Sequence, residues 1–181
     1  DISERKVSEI EKAAEFPKEA IEQILPEFIS APCAPWNMLA ITFTNKAAGE
    51  LKARLRAMLG EQADSICAAT FHSACVRILR REIDKLGYTS SFTIYDSDDS
   101  QRLLKSCYDP LDLSDKTFPV KTVLSVISSA KDKLITPSEF EKKAAGDYRE
   151  LGIAKLYKLY QQRLRDANAL DFDDIIRLTV E

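Results

Sequence analysis

Glycine, histidine and tryptophan are scarce in this chain, and each scarcity closes off a chemistry. Among 181 residues there are five glycines, one histidine and one tryptophan. The glycines, Gly49, Gly60, Gly87, Gly146 and Gly152, are never followed by lysine. The phosphate loop GxxxxGK[ST], whose backbone cradles nucleotide phosphates, is therefore absent from these residues. A lone histidine, His72, and four cysteines with no CxxC spacing argue against a zinc site. No apolar run approaches the roughly 18 residues of a membrane span, and no basic-then-apolar signal segment starts the chain. A soluble, cytoplasmic protein with no membrane partner is expected. Cys67 and Cys75, in apolar surroundings, read as buried free thiols, which fits a reducing compartment.

The net charge of -3 carries no global basic signature, so an anionic partner must be argued from local charge. That charge is uneven. Residues 1–30 sum to -4, 36–60 to +3, 91–118 to -3 and 119–168 to +4, which places basic surface in two separated blocks. The plain alternative is that such runs are solvated helix faces. With 45% hydrophobic residues the chain can bury one sizeable core, or one domain carrying a smaller second one.

Residues 3–30 have helical spacing, broken at Pro17 and ended at Pro26, and a proline-bearing connector, APCAPWN, follows. Two short apolar strands come next, each handing over to a helix: 38–42 before a helix at about 45–59, and 65–70 before one at about 72–86. Gly60 and Gly87 close the two helices. Apolar strands alternating with helices indicate a parallel sheet covered by helices. FTIYD at 92–96 reads as a strand or an extended connector. Helices are then expected at 97–107, 119–132, 136 onward, 147–167 and 171–180; Thr136, Pro137 and Glu139 form a capping-box signature. The fold class is α/β, a partial parallel sheet with helices plus an inserted all-helical subdomain, and mainly α overall.

In parallel α/β sheets, ligands sit beyond the carboxyl ends of the strands, where helix N-termini offer free N–H groups to anions. Both strand-to-helix junctions are similarly equipped: Thr42, Phe43, Thr44, Asn45 and Lys46 at the first, Thr70, Phe71, His72 and Ser73 at the second. Hydroxyls, an amide, an ammonium and an imidazole can bond phosphate oxygens, and a neighbouring ring can take a base face. That combination suits single-stranded nucleic acid. The competing reading makes Phe43 and Phe71 core residues at strand ends and Ser73 a helix cap.

These stretches resemble a known family. APWNMLAITFTNKAAGELKARL is similar to motif Ia of superfamily 1 DNA helicases of the UvrD/PcrA/Rep type, TFHSACVRILRR to the motif that follows, and NALDFDDII at 168–176 to a third. The three occur in the family's order and spacing, over about residues 34–181. The resemblance implies a RecA-like first motor domain interrupted by a helical subdomain. Residues 36–84 would belong to the motor, 85–167 to the insertion and 168–181 to the return, with 1–35 a helical segment that does not match. It also implies that Phe43 and Phe172 help form pockets through which bases step. Thr44, Asn45, Lys46, Thr70, Phe71 and His72 would complete the contact with the strand.

Asp171, Asp173 and Asp174 in LDFDD could suggest a metal cluster or a Walker B strand. They precede their apolar run, though, and read as helix-capping acids instead. No catalytic, cofactor or metal residue is assigned, and ATP and Mg belong to the parent protein. The expected function is the DNA-binding portion of an ATP-dependent 3′–5′ DNA helicase in repair or replication, without its own ATP site. Single-stranded DNA, single-strand/duplex junctions and the remainder of the helicase are the expected partners, and exposed strand edges favour self-association. Gly49 departs from the family, in which a larger residue usually stands there. Two other readings remain: a non-enzymatic helical protein-interaction module, and a fragment of a related helicase–nuclease.

Overall fold

The computed structural model describes residues 33–144 and 146–181, so the helical segment expected at 3–30 lies outside the described residues. The chain is mainly helical with small sheets. Strand β1 (Leu39–Thr42) leads to helix α1 (Asn45–Leu59), and β2 (Cys67–Thr70) runs directly into α2 (Phe71–Glu82). A two-residue strand, β3 (Thr93–Ile94), precedes α3 (Ser97–Ser106), α4 (Val120–Asp132), α5 (Pro137–Lys143) and α6 (Tyr148–Asp166). A second two-residue strand, β4 (Ala169–Leu170), then enters α7 (Phe172–Val180).

The chain divides into two compact units. Among the described residues the first comprises 33–40 and 54–67, and the second 41–53 and 68–181. In the first unit the Cys67 amide donates to the Met38 carbonyl at 3.1 Å, and Ala63 and Ile66 are its buried side chains.

The second unit holds two apolar clusters. One is built from Leu104, Phe118, Val123, Ile127, Leu156, Tyr157, Tyr160 and Leu164, with Ala169 closing it. Helix α6 supplies Ile153, Leu156, Tyr157, Tyr160 and Leu164, spaced so that they share one face. Near its start, Gly152 lets Phe118 approach: a Cβ there would lie 2.3 Å from the ring. The Tyr108 hydroxyl donates to the Phe118 carbonyl at 2.6 Å, and the Tyr157 hydroxyl to the Ile135 carbonyl at 3.1 Å. Burial pushes the Tyr108 phenol up to about 12, so both hydroxyls remain donors at neutral pH.

The other cluster joins α2 to α7 through Leu79, Ile83, Tyr88, Phe92, Leu170, Ile175 and Leu178. Above it, β3 and β4 pair in parallel, Thr93 opposite Ala169 and Ile94 opposite Leu170. Asn168, at φ 47, turns the chain into β4, and its side-chain amide clasps Thr89 with Oδ1 accepting from the backbone and Nδ2 donating to Oγ1. Positive φ suits asparagine better than most residues.

Several boundaries differ from the sequence expectation. The helix expected at 72–86 is α-helical only to Glu82 and tightens to a 3-10 turn over Ile83–Leu86, which Gly87 closes at φ 80. FTIYD contains β3, but its partner β4 was not anticipated, because two residues carry no periodicity. In β1, Leu39 and Ile41 are exposed, so that strand is not apolar on two covered faces. Cys67 and Cys75 are half-buried and Cys107 is the buried thiol.

Candidate nucleic-acid interface

The first two junctions are each organised by a threonine. At the first, the Thr44 hydroxyl accepts from the Ala47 amide at 3.1 Å and its carbonyl from Ala48 at 2.9 Å, so Thr44 caps α1. Asn45 and Lys46 follow as the first helical residues, both exposed. At the second, the Thr70 hydroxyl accepts from the Ser73 amide at 3.3 Å and donates to the Ser73 hydroxyl at 2.9 Å. Thr70 is buried, and its side chain is engaged in starting α2. The third junction lies at the head of α7, where the Asp171 carboxylate accepts from the Asp174 amide at 2.9 Å.

Capping fixes where the rings point. Phe43 projects from the β1–α1 junction and is 86% exposed, which removes it from the core. Its ring meets that of Phe71, with centroids 5.1 Å apart and planes at 35°. One residue further along α2, His72 meets Phe172 edge-on, with centroids 5.6 Å apart and planes at 70°. Phe172 is 50% exposed. Packing of Leu79 on α2 and Ile83 just beyond it against Ile175 and Leu178 on α7 brings the two helices side by side, and the rings at their heads meet. Four of the sequence-predicted residues thus form two ring pairs, joined by the Phe71–His72 peptide bond. Thr44, Asn45 and Lys46 stand beside the first pair in sequence, and Thr70 serves the backbone beneath.

Sequence reasoning missed what anchors Phe172. Lys131, fully buried on α4, places its ammonium 2.6 Å from Asp171 and 3.0 Å from Asp174. The Tyr160 hydroxyl donates to the same Asp171 oxygen at 2.9 Å, and Gln161 donates to Asp174 at 2.8 Å. Arg177 reaches Asp174 at 3.2 Å. Burial works against ionising Asp174, but Lys131, Gln161 and Arg177 outweigh it and hold that carboxyl below the usual range. LDFDD therefore caps α7 through Asp171, as the sequence indicates, and also ties α7 to α4. The available signal was a lysine amid the buried positions Val123, Ile127 and Ala130 of an amphipathic helix.

Among the described residues, no three His, Cys, Asp or Glu side chains converge as metal ligands, and neither junction is a glycine-rich loop. No helix among them is long and apolar enough to cross a membrane.

Among the described residues, a mainly helical chain thus carries rings at the heads of helices that follow short strands. The family profile described as the UvrD/REP helicase N-terminal domain matches residues 20–181, and the chain belongs to that family. The match starts ahead of residue 34, where the motif resemblance begins. The chain is similar to the ATP-dependent DNA helicase PcrA of Bacillus subtilis (strain 168), 47% identical over 148 residues, which is 82% of this chain and 20% of the relative. Its likeness to PcrA of Staphylococcus epidermidis (strain ATCC 35984) is 44% over 147 residues, and to PcrA of Staphylococcus aureus (strain Mu50) 43% over 147, each covering 81% of this chain and 20% of the relative. The chain thus spans about a fifth of the length of these curated relatives.

Proposed function

We propose that this chain is the single-strand-contacting part of the first motor domain of an ATP-dependent DNA helicase that translocates 3′ to 5′. Residues 36–84 and 168–181 belong to a RecA-like motor and 85–167 to its helical insertion. The observation that carries this reading is the line Phe43–Phe71–His72–Phe172, in which the three phenylalanines are exposed and His72 half-buried. Rings held outside the core at helix N-termini offer faces to bases and N–H groups to phosphates, which is a sequence-independent grip on one strand. Asn45 and Lys46, exposed in the first turn of α1, add polar and cationic partners for the backbone.

With no phosphate loop among its residues, the chain by itself does not hydrolyse ATP; in the parent protein, ATP and Mg²⁺ drive stepping and the unwinding of single-strand/duplex junctions in cytoplasmic repair or replication. The open edge of β1, with Leu39 and Ile41 exposed, favours self-association of the chain.

The test is fluorescence anisotropy of a labelled single-stranded oligonucleotide against the chain and its Phe43→Ala and Phe172→Ala variants, over a salt series. Stacking is worth about 1–3 kcal/mol per base, so each variant is expected to bind about fivefold or more weakly. The salt slope should stay unchanged, because the rings carry no charge. A folded chain that binds no oligonucleotide would return the lead to a protein-interaction module.

A further inference from the structure

Asp171 faces two ways. One carboxylate oxygen accepts from the Asp174 amide and starts α7; the other takes the Lys131 ammonium at 2.6 Å and the Tyr160 hydroxyl at 2.9 Å. Phe172 is the next residue, so the backbone beneath its ring is held from within α7 and also from α4 and α6. Burial, together with the charge of Asp171, pushes the Tyr160 phenol well above its usual range, so its hydroxyl stays a donor. Lys131 and Tyr160 are both buried, and the ammonium lies 5.4 Å from the centre of the Tyr160 ring. Phe172 itself is half exposed, and its aromatic contact among the described residues is the edge-on one with His72. A ring with so much free surface takes its direction from the backbone that carries it, which the Asp171 contacts fix.

Stability alone gives a poor account of a lysine at this place. Taking an ammonium and two carboxylates out of water is costly, and well-packed apolar side chains in their stead are often as stable or more so. What the charges add is a unique arrangement. Apolar faces tolerate small slips, whereas an ammonium 2.6 Å from one carboxylate and 3.0 Å from another is satisfied at one relative position of α4 and α7. Lys131 and Tyr160 belong to the segment 85–167, and Asp171 and Phe172 to 168–181. The position being fixed is therefore that of the ring assigned above to strand contact, relative to the helical segment that precedes it.

We propose that Lys131 is a positioning residue of the single-strand grip: through Asp171 it seats the Phe172 ring against His72, which makes the helical insertion a working part of the ring line. The inference rests on the single-strand reading above and deepens it. Lys131 is fully buried and out of reach of the strand, so it acts on binding only through the ring.

The experiment is a double-mutant cycle read by anisotropy of a labelled single-stranded oligonucleotide on the full chain. Lys131→Met and the gentler Tyr160→Phe, which removes one donor to Asp171 and leaves its ring in the core, are each measured in the wild type, in Phe172→Ala and in Phe43→Ala. Circular dichroism checks the fold of every sample. In the wild type, Lys131→Met is expected to weaken binding about fivefold and Tyr160→Phe about twofold, with the salt slope unchanged because no phosphate contact is lost. In Phe172→Ala neither should weaken binding further, whereas in Phe43→Ala each should cost the same factor as in the wild type. A merely structural role lowers the folded fraction and so costs the same factor in all three backgrounds; that result, or folded variants that bind like the wild type, would overturn the proposal. If Lys131→Met does not fold, Tyr160→Phe decides by the same comparison. Should the cycle fail while Phe43→Ala and Phe172→Ala each still weaken binding, the single-strand reading survives alone; a folded wild-type chain that binds no oligonucleotide overturns both.

Discussion

Two glycines in helices have opposite reasons for being there. Gly49 on α1 is exposed, and a Cβ added to it would meet nothing within 4 Å. Its backbone is helical, so Gly49→Ala is expected to raise stability by about 0.5–1 kcal/mol, in line with the cost of a mid-helix glycine. Gly152 on α6 is also helical, but its missing Cβ is the space occupied by Phe118. Gly152→Ala must displace a fully buried ring and is expected to cost about 1–3 kcal/mol through overpacking. Urea denaturation of both variants checks the opposite signs. Sequence spacing alone does not distinguish the two positions, because each is a glycine within a helical pattern. What separates them is a neighbour more than thirty positions away in the chain.

At the scale of elements, α4 and α7 are joined through a buried charge cluster rather than by apolar contact alone. Removing one partner of such a cluster strands the others, so Lys131→Met is expected to cost about 3–5 kcal/mol by leaving Asp171 and Asp174 facing each other out of water. Acid should act on the same joint. The Asp174 carboxyl is held below its usual range in the folded chain, so its stabilisation is complete above the ordinary aspartate value of about 3.9. It is lost as pH falls through the lower folded value. Denaturation midpoints measured from pH 6 to 2 should fall steeply at the acid end for the wild type and less steeply for Lys131→Met, which has already lost its main partner.

The elements themselves were largely legible. The termini of α1 and the Thr136–Glu139 capping box appear where caps and glycines place them, because those signals are local. The β3–β4 pair and the Lys131 cluster were not legible, because both are made by residues far apart in sequence. Phe43 was legible as a site candidate from its strand-to-helix junction, with a core position as the competing reading, and Phe172 only through motif resemblance. Their exposure, which removes Phe43 from the core, is a tertiary fact.

Across the whole molecule, burial is unequal. In the unit formed by 33–40 and 54–67, Ala63 and Ile66 are the buried apolar residues described, whereas the unit spanning 41–53 and 68–181 holds both apolar clusters. Opening free energy follows buried contact, so amides of 54–66 are expected to exchange with solvent faster than those of 153–164. Native-state hydrogen exchange read by mass spectrometry checks the order; equal protection in the two segments would contradict it. This unevenness too was only partly legible, since Met58 and Leu59 continue an apolar pattern yet remain exposed.

The Asn168–Thr89 clasp has a consequence in time. Its partners stand 79 residues apart, so it closes a long loop, whereas α5 and α6 meet across a short connection. Closing a longer loop costs more chain entropy, and contacts near in sequence form sooner. As the chain leaves the ribosome, Leu79, Ile83 and Phe92 wait for Leu170, Ile175 and Leu178. Until those last residues emerge, half of that cluster is bare, and the rings of His72 and Phe172 have not yet met.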